Sequence, residues 1–318
     1  MTVTHPASAP PLDRIKLVPY APVIRRTATE FQVGLDPRTA LIFVGAGFGD
    51  LLAGLDGRHS ASALQALGTT SGLTVGQVTW TVNRLRDAGL IEPRRGTSRT
   101  ASQVRLIGAG PIGAQLAGHL AGPGVELHVF DDRPPDPTLY PTAGVLPRGS
   151  DALCAAMPAR AHPLSHWSKP ETVPMDLTVI AVDGPEVDRV ITDHLVRSDQ
   201  PHLLVRSLGD GVCVGPLVIP GRTSCMHCAD LARRDADPQW PVVLAQLSRL
   251  RLELPAVLIS WAASVAATQA LSFLGGGVPE TAGSTLELSA TDLVTRMRFW
   301  PAHAECGCGW IGPTEWGP

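Results

Sequence analysis

Two sets of residues in this sequence have the types and spacing for chemistry. Gly108-Ala-Gly110-Pro-Ile-Gly113 follows the apolar run VRLI and opens the helix-like run IGAQLAGHLA. Glycines there permit a tight turn and the close approach of a phosphate, which helix N-terminal amides and the positive dipole end then hold. The next strand-like run, VELHVF, ends in Asp131-Asp132, a place from which a carboxylate can bind a ribose hydroxyl. The second set is Cys225-Met-His-Cys228 with Cys306-Gly-Cys308. Two close cysteine pairs are the arrangement of a closed tetrahedral thiolate site, which points to a structural Zn2+. The long gap between the pairs would make that metal a staple of the chain end onto its domain. His227 and His303 lie beside the pairs and read as packing residues, with substitute ligation as the alternative. Asp183 follows the run LTVIAV, where it reads either as a Mg2+ ligand in the crevice or as the N-cap of the next helix. Cys154 and Cys213 have no paired base in sequence and read as buried small residues.

Those residues need a scaffold, and the patterning supplies one. From residue 103 strand-like and helix-like runs alternate, which predicts an α/β fold with a mostly parallel sheet and right-handed crossovers. The glycine turn makes it Rossmann-like. Ahead of it, FQVGLDPRTALIFV holds two β-like runs split by an Asp-Pro turn, and LLAGLDGRHSASALQAL has helical spacing. The segment LTVGQVTWTVNRLRDAGLIEP puts Val78, Val82, Leu85 and Leu90 on one helical face and stops at Gly89. With the basic turn Arg94, Arg95 and Arg99, this is the pattern of a small winged-helix-like α+β domain. The expected division is a flexible arm over 1–30, the small domain over 31–100, and the Rossmann-like domain with its zinc staple over 101–318.

The chain of 318 residues is long enough for about two domains. Its net charge, 26 − 29 = −3, gives none of the global basic excess that drives nucleic-acid binding. Lysine is nearly absent: only Lys16 and Lys169 occur, which removes most candidates for a phosphate-binding ammonium. The first residues lack the apolar core of a secretory signal, and six cysteines then argue for a reducing, cytoplasmic setting. The most apolar stretch, residues 256–277, carries serines, a threonine and a glutamine, so it reads as a buried core helix and not a membrane span.

With those pieces in place, residues 103–312 resemble the ThiF/MoeB class of ubiquitin-activating-type folds. The likeness is carried by GAGPIG at 108–113, FDD at 130–132, AVDG at 181–184, VCVGPLVIPGRTSCMHC and FWPAHAECGCGW. The last two segments, with LARRDADPQWPVVLAQL, are similar to the ThiF-like leader-peptide-binding partners of azoline-forming, YcaO-dependent cyclodehydratases. A winged-helix-like domain ahead of a ThiF-type domain is that group's layout. The resemblance implies a scaffold that captures the leader of a ribosomal precursor peptide by strand addition and presents it to a YcaO-type cyclodehydratase. It also implies a homodimer. In adenylating members, ATP and Mg2+ are held by residues whose counterparts here are Gly108, Gly110, Gly113, Asp131 or Asp132, and Asp183. Their Asn-x-x-Arg-Gln stretch and the lysine after it have no match in DDRPPDPTLYPTAGVLPRGSD, where Arg148 is the nearest stand-in. Adenylyl transfer needs positive charge around the phosphates. The expectation is therefore a protein that is not catalytic alone. The alternatives are an adenylyltransferase that activates a C-terminal carboxylate, or a winged-helix DNA-binding regulator using Arg84 and Arg86.

Overall fold

The computed structural model describes residues 14–92 and 101–309, apart from 37, 39, 123, 143, 158 and 169–172. The chain forms two compact units that divide between residues 99 and 100.

The first unit runs β1 (Arg14–Lys16), β2 (Val23–Arg25), β3 (Glu30–Val33), β4 (Leu41–Val44), α1 (Gly47–Ala53), β5 (Asp56–Ser60), α2 (Ala61–Thr70) and α3 (Val75–Asp87). Strands β2, β3 and β4 form an antiparallel sheet with Phe31 opposite Phe43, and β1 pairs with β5. The described residues before 31 are therefore not a loose arm. Ile15, Val18 and Ala21 are buried in the same cluster as Phe31, Phe43, Leu51, Leu64 and Leu85, and that burial holds the segment in place. The run LLAGLDGRHSASALQAL is not one helix either. It breaks at Asp56–Ser60, where Gly57 takes φ +83 and the Ser60 hydroxyl accepts from the Ala63 amide at 3.1 Å to start α2. Helix α3 meets its expected bounds. A Thr74–Gln77 capping box opens it, Val78, Val82 and Leu85 face the core, and the Leu90 amide returns to the Leu85 carbonyl after Gly89 at φ +69. The basic turn at Arg94, Arg95 and Arg99 lies outside the described residues.

The second unit runs β6 (Ser102–Ile107), α4 (Pro111–Leu120), β7 (Val125–Phe130), α5 (Gly149–Ala156), β8 (Ala161–Pro163), β9 (Leu177–Ala181), α6 (Arg189–Arg197), β10 (His202–Ser207) and β11 (Gly211–Val218). Then come α7 (Met226–Ala236), α8 (Trp240–Leu247), α9 (Ala256–Leu274), β12 (Ser284–Ser289) and β13 (Thr295–Phe299). They build an eight-stranded sheet in the order β13-β12-β11-β10-β9-β6-β7-β8. It is parallel from β10 to β8 and antiparallel from β10 to β13. Strands β6, β9 and β10 bury residues on both faces of the sheet. Val104, Leu106, Leu127, Val129, Leu177 and Val179 pack in one cluster with α4 and α9, while Ile107, Ile180 and Leu204 pack with Leu195 of α6 and Met226 of α7. Helix α9 is long and apolar enough to cross a membrane, and one face of it packs into the core of the second unit. Its Ala262, Ala263, Ala266, Ala267 and Ala270 are buried, and Ser260 donates to Gln115 of α4 at 2.9 Å.

Candidate functional site

Strands β6, β7 and β9 bring their C-terminal ends together, and the glycine loop, Asp131 and Asp183 stand there as a group. At Gly108, φ is +108 and an added Cβ would meet the Ala181 carbonyl oxygen at 2.1 Å. At Gly110 it would meet Asp183 Oδ2 at 1.9 Å, and at Gly113 the Gly108 carbonyl oxygen at 2.0 Å. All three glycines are thus required by contacts within the chain. Asp131 accepts from the Ala109 amide at 2.7 Å. It also takes both prongs of the Arg133 guanidinium, Nε at 2.9 Å and Nη2 at 2.6 Å. Burial works to raise the Asp131 carboxyl, but the Arg133 and Ala109 hydrogen bonds outweigh it and hold the group below the ordinary carboxylate value. Asp132, the other acid of the pair, is exposed.

Asp183 closes the other side. Its carboxylate accepts from the Ile112 amide, so it caps α4 from a neighbouring strand. The following helix, α6, is capped by Asp188 at 2.9 Å. Arg133 Nη2 lies 3.7 Å from Asp183 Oδ2. Burial raises the Asp183 carboxyl above its ordinary value, against the pull of Arg133. Tyr140 donates its hydroxyl to the Ala109 carbonyl at 2.7 Å, and the Leu252 amide donates to the Asp183 carbonyl at 2.8 Å. Arg148 does not face this crevice: it binds Asp151 at 2.7 Å and the Leu164 carbonyl at 3.0 Å. Arg133 and Tyr140 were not singled out from sequence. The only signal was an arginine two places after the strand-end aspartate.

Residues around this crevice do not fit Mg2+ and ATP as they stand. The Ala109 and Ile112 amides are taken by carboxylates of the chain, and those carboxylates face an arginine. No lysine lies among residues 101–168 to meet a phosphate.

The four cysteines converge at the start of α7. Their sulfurs all lie within 4.8 Å of one another, with Cys225 3.6 Å from Cys306 and Cys228 3.3 Å from Cys308. Tetrahedral ligands at the usual Zn–S length sit about 3.8 Å apart, so the group could hold a metal ion, and the tight CxC turn is no obstacle. Without one, burial pushes the Cys306 thiol up to about 12. His303 is engaged elsewhere, with Asp235 at 2.9 Å, and His227 is exposed; neither joins the cluster. Cys154 and Cys213 are buried thiols whose pKa burial raises, Cys154 to about 12, which suits packing and not nucleophilic attack.

The first unit has an open feature. Strand β4 pairs only with β3 among the described residues, which leaves an outer edge of unpaired backbone groups. Phe43 points inward, whereas Ile42 is 51% and Val44 67% exposed. The Trp80 ring of α3 stands edge-on to Phe43 at 6.1 Å and is 57% exposed.

No protein-family model and no curated protein matches the chain. Solved structures do. E. coli MccB with ATP superposes with a TM-score of 0.65 over 92% of this chain and 99% of that one, at 15% identity. The microcin C7 biosynthetic enzyme MccB in complex with N-formylated MccA gives 0.63 over 93% and 99%, at 16% identity. The heterocyclase TruD gives 0.54 over 93% of this chain but 43% of its own length, at 17% identity. At these identities the likeness is one of fold, and the fold of this chain is the ThiF/MoeB-like, ubiquitin-activating type.

Proposed function

We propose that this chain is a peptide-binding scaffold protein in ribosomal peptide natural-product modification. The first unit captures the leader of a precursor peptide, and the chain presents that peptide to a YcaO-type cyclodehydratase. The observation that carries this reading is the open β4 edge beside Trp80. An extended peptide adding to β4 would satisfy the edge backbone and cover Ile42, Val44 and Trp80, which are otherwise left to water. The winged-helix-like domain expected from sequence is the part assigned to this task. The peptide complex of MccB and the likeness to TruD support a peptide-modification setting. The four-cysteine cluster is assigned a structural Zn2+, with Cys225, Cys228, Cys306 and Cys308 as ligands and no open position for substrate.

The test uses a fluorescently labelled precursor peptide encoded near this gene and the full chain. Anisotropy should report binding that Trp80→Ala weakens at least about tenfold, or about 1.4 kcal/mol. It should vanish when the leader is removed. Unchanged affinity in Trp80→Ala, or binding that needs only the modified core, would refute the assignment.

The second reading is an adenylyltransferase of the ThiF/MoeB type, activating a C-terminal carboxylate. The superposition on MccB with ATP is the observation in its favour. Exchange of pyrophosphate into ATP driven by the same peptide would establish it and displace the scaffold reading.

A further inference from the structure

The glycine loop poses an electrostatic problem that the chain solves internally. A helix N-terminus with free amides attracts an anion. Here the Ala109 amide is given to Asp131 and the Ile112 amide to Asp183, so the anions come from the protein itself. A buried carboxylate, Asp131, and a half-buried one, Asp183, on either side of the loop then call for a cation. Arg133 is placed as one. It reaches Asp131 by two side-chain bonds and Asp183 at 3.7 Å, and its own amide also donates to Asp131 at 3.1 Å. The loop that carries Arg133 is fastened on both sides. The Gly149 amide donates to the Arg133 carbonyl at 2.7 Å, and the Ser150 amide to the Asp131 carbonyl at 3.2 Å.

We propose that Arg133 is a built-in cation that seals the crevice: its guanidinium takes the place between Asp131 and Asp183 that a divalent metal and its nucleotide would need. The chain so arranged excludes Mg2+ and ATP by satisfying the same groups they would use. A compact ammonium could keep the charge but not the two-pronged hold on Asp131. An uncharged side chain would leave the two aspartates facing each other, and a hard, oxygen-seeking divalent ion is the natural replacement. This inference concerns the second unit alone and holds whether or not the first unit binds a peptide.

The test is Mn2+ binding to the full, zinc-loaded chain, read by electron paramagnetic resonance, together with calorimetric titration of Mg·ATP. Thiolate clusters prefer zinc to manganese, so the cysteines do not interfere. Native protein should bind neither Mn2+ nor Mg·ATP. Arg133→Gln, which loses the charge and the two-pronged hold, should bind Mn2+ at least about tenfold more tightly than any residual binding by native protein. Adding Asp183→Asn to that variant should remove the gain, which separates the crevice from adventitious surface acids. Arg133→Lys should stay close to native. Binding of Mg·ATP or crevice Mn2+ by the native chain would overturn the proposal. So would an Arg133→Gln protein that keeps its circular dichroism and melting transition yet gains no Mn2+.

Discussion

The glycine-loop crevice of the second unit and the β4 edge of the first are both places where a fold leaves backbone groups without regular partners. They end differently. In the crevice the loose amides are matched by Asp131 and Asp183, the acids by Arg133, and the Ala109 carbonyl by Tyr140. At β4 the outer edge has no partner strand among the described residues, and Ile42, Val44 and Trp80 stay exposed beside it. A recognition surface retains groups that a ligand can satisfy, whereas a site that has satisfied itself has little left to offer one. By that measure the glycine-loop crevice is the closed region and the β4 edge of the small unit is the open one.

Several substitutions would break or sharpen this contrast. The largest effect is expected at the thiolate cluster, the second unit's other self-contained feature. Cys228→Ala should abolish bound zinc, measured by atomic spectrometry. Since structural zinc contributes on the order of 10 kcal/mol, the second unit should melt far below the native protein. Next comes Gly108→Ala, which forces a side chain into the Ala181 carbonyl at φ +108. A loss of about 3 kcal/mol in urea unfolding is expected; a loss below about 1 kcal/mol would show the loop to be loosely packed. Trp80→Ala should do the opposite of Gly108→Ala. It should cost stability only about 0.5 kcal/mol, being largely exposed, while weakening peptide binding by about 2 kcal/mol. The smallest effect concerns acid stability. Asp131 has a lowered folded pKa, so the stability it contributes is present above about pH 4 and is lost as pH falls through that lowered value. Arg133→Gln removes the main group holding it down, so the variant should lose less stability than native between about pH 5 and pH 2.

Much of the closed region was legible in sequence and much of the open one was not. GxGxxG after an apolar strand and two cysteine pairs are local patterns with fixed geometry, so the glycine turn and the four sulfurs can be grouped from spacing, whereas spacing leaves Asp131 and Asp132 as alternatives and the role of Asp183 open. The identity of Asp183's helix was misjudged because a side chain can cap a helix on a neighbouring strand as well as its own. Arg133 has its main partner, Asp131, only two residues away, but no periodicity or motif marks that pairing, and its second partner, Asp183, is distant in sequence. In the first unit, β1 and β2 are three residues each; β1 depends on pairing with the distant β5 and on burial of Ile15, and β2 pairs with the neighbouring β3 while its own residues stay exposed. Short strands of that kind carry little periodicity. Strand β8 and helix α8, of three and eight residues, likewise show no clear period in the sequence.

Hydrogen exchange of the full chain with and without the precursor peptide addresses the central claim in one experiment. The account expects new protection at β4, residues 41–44, and along α3, residues 75–87, with the glycine loop at 108–113 unchanged. Protection confined to 108–113 and the Asp183 segment, with β4 still exchanging freely, would contradict it and make the crevice the working site.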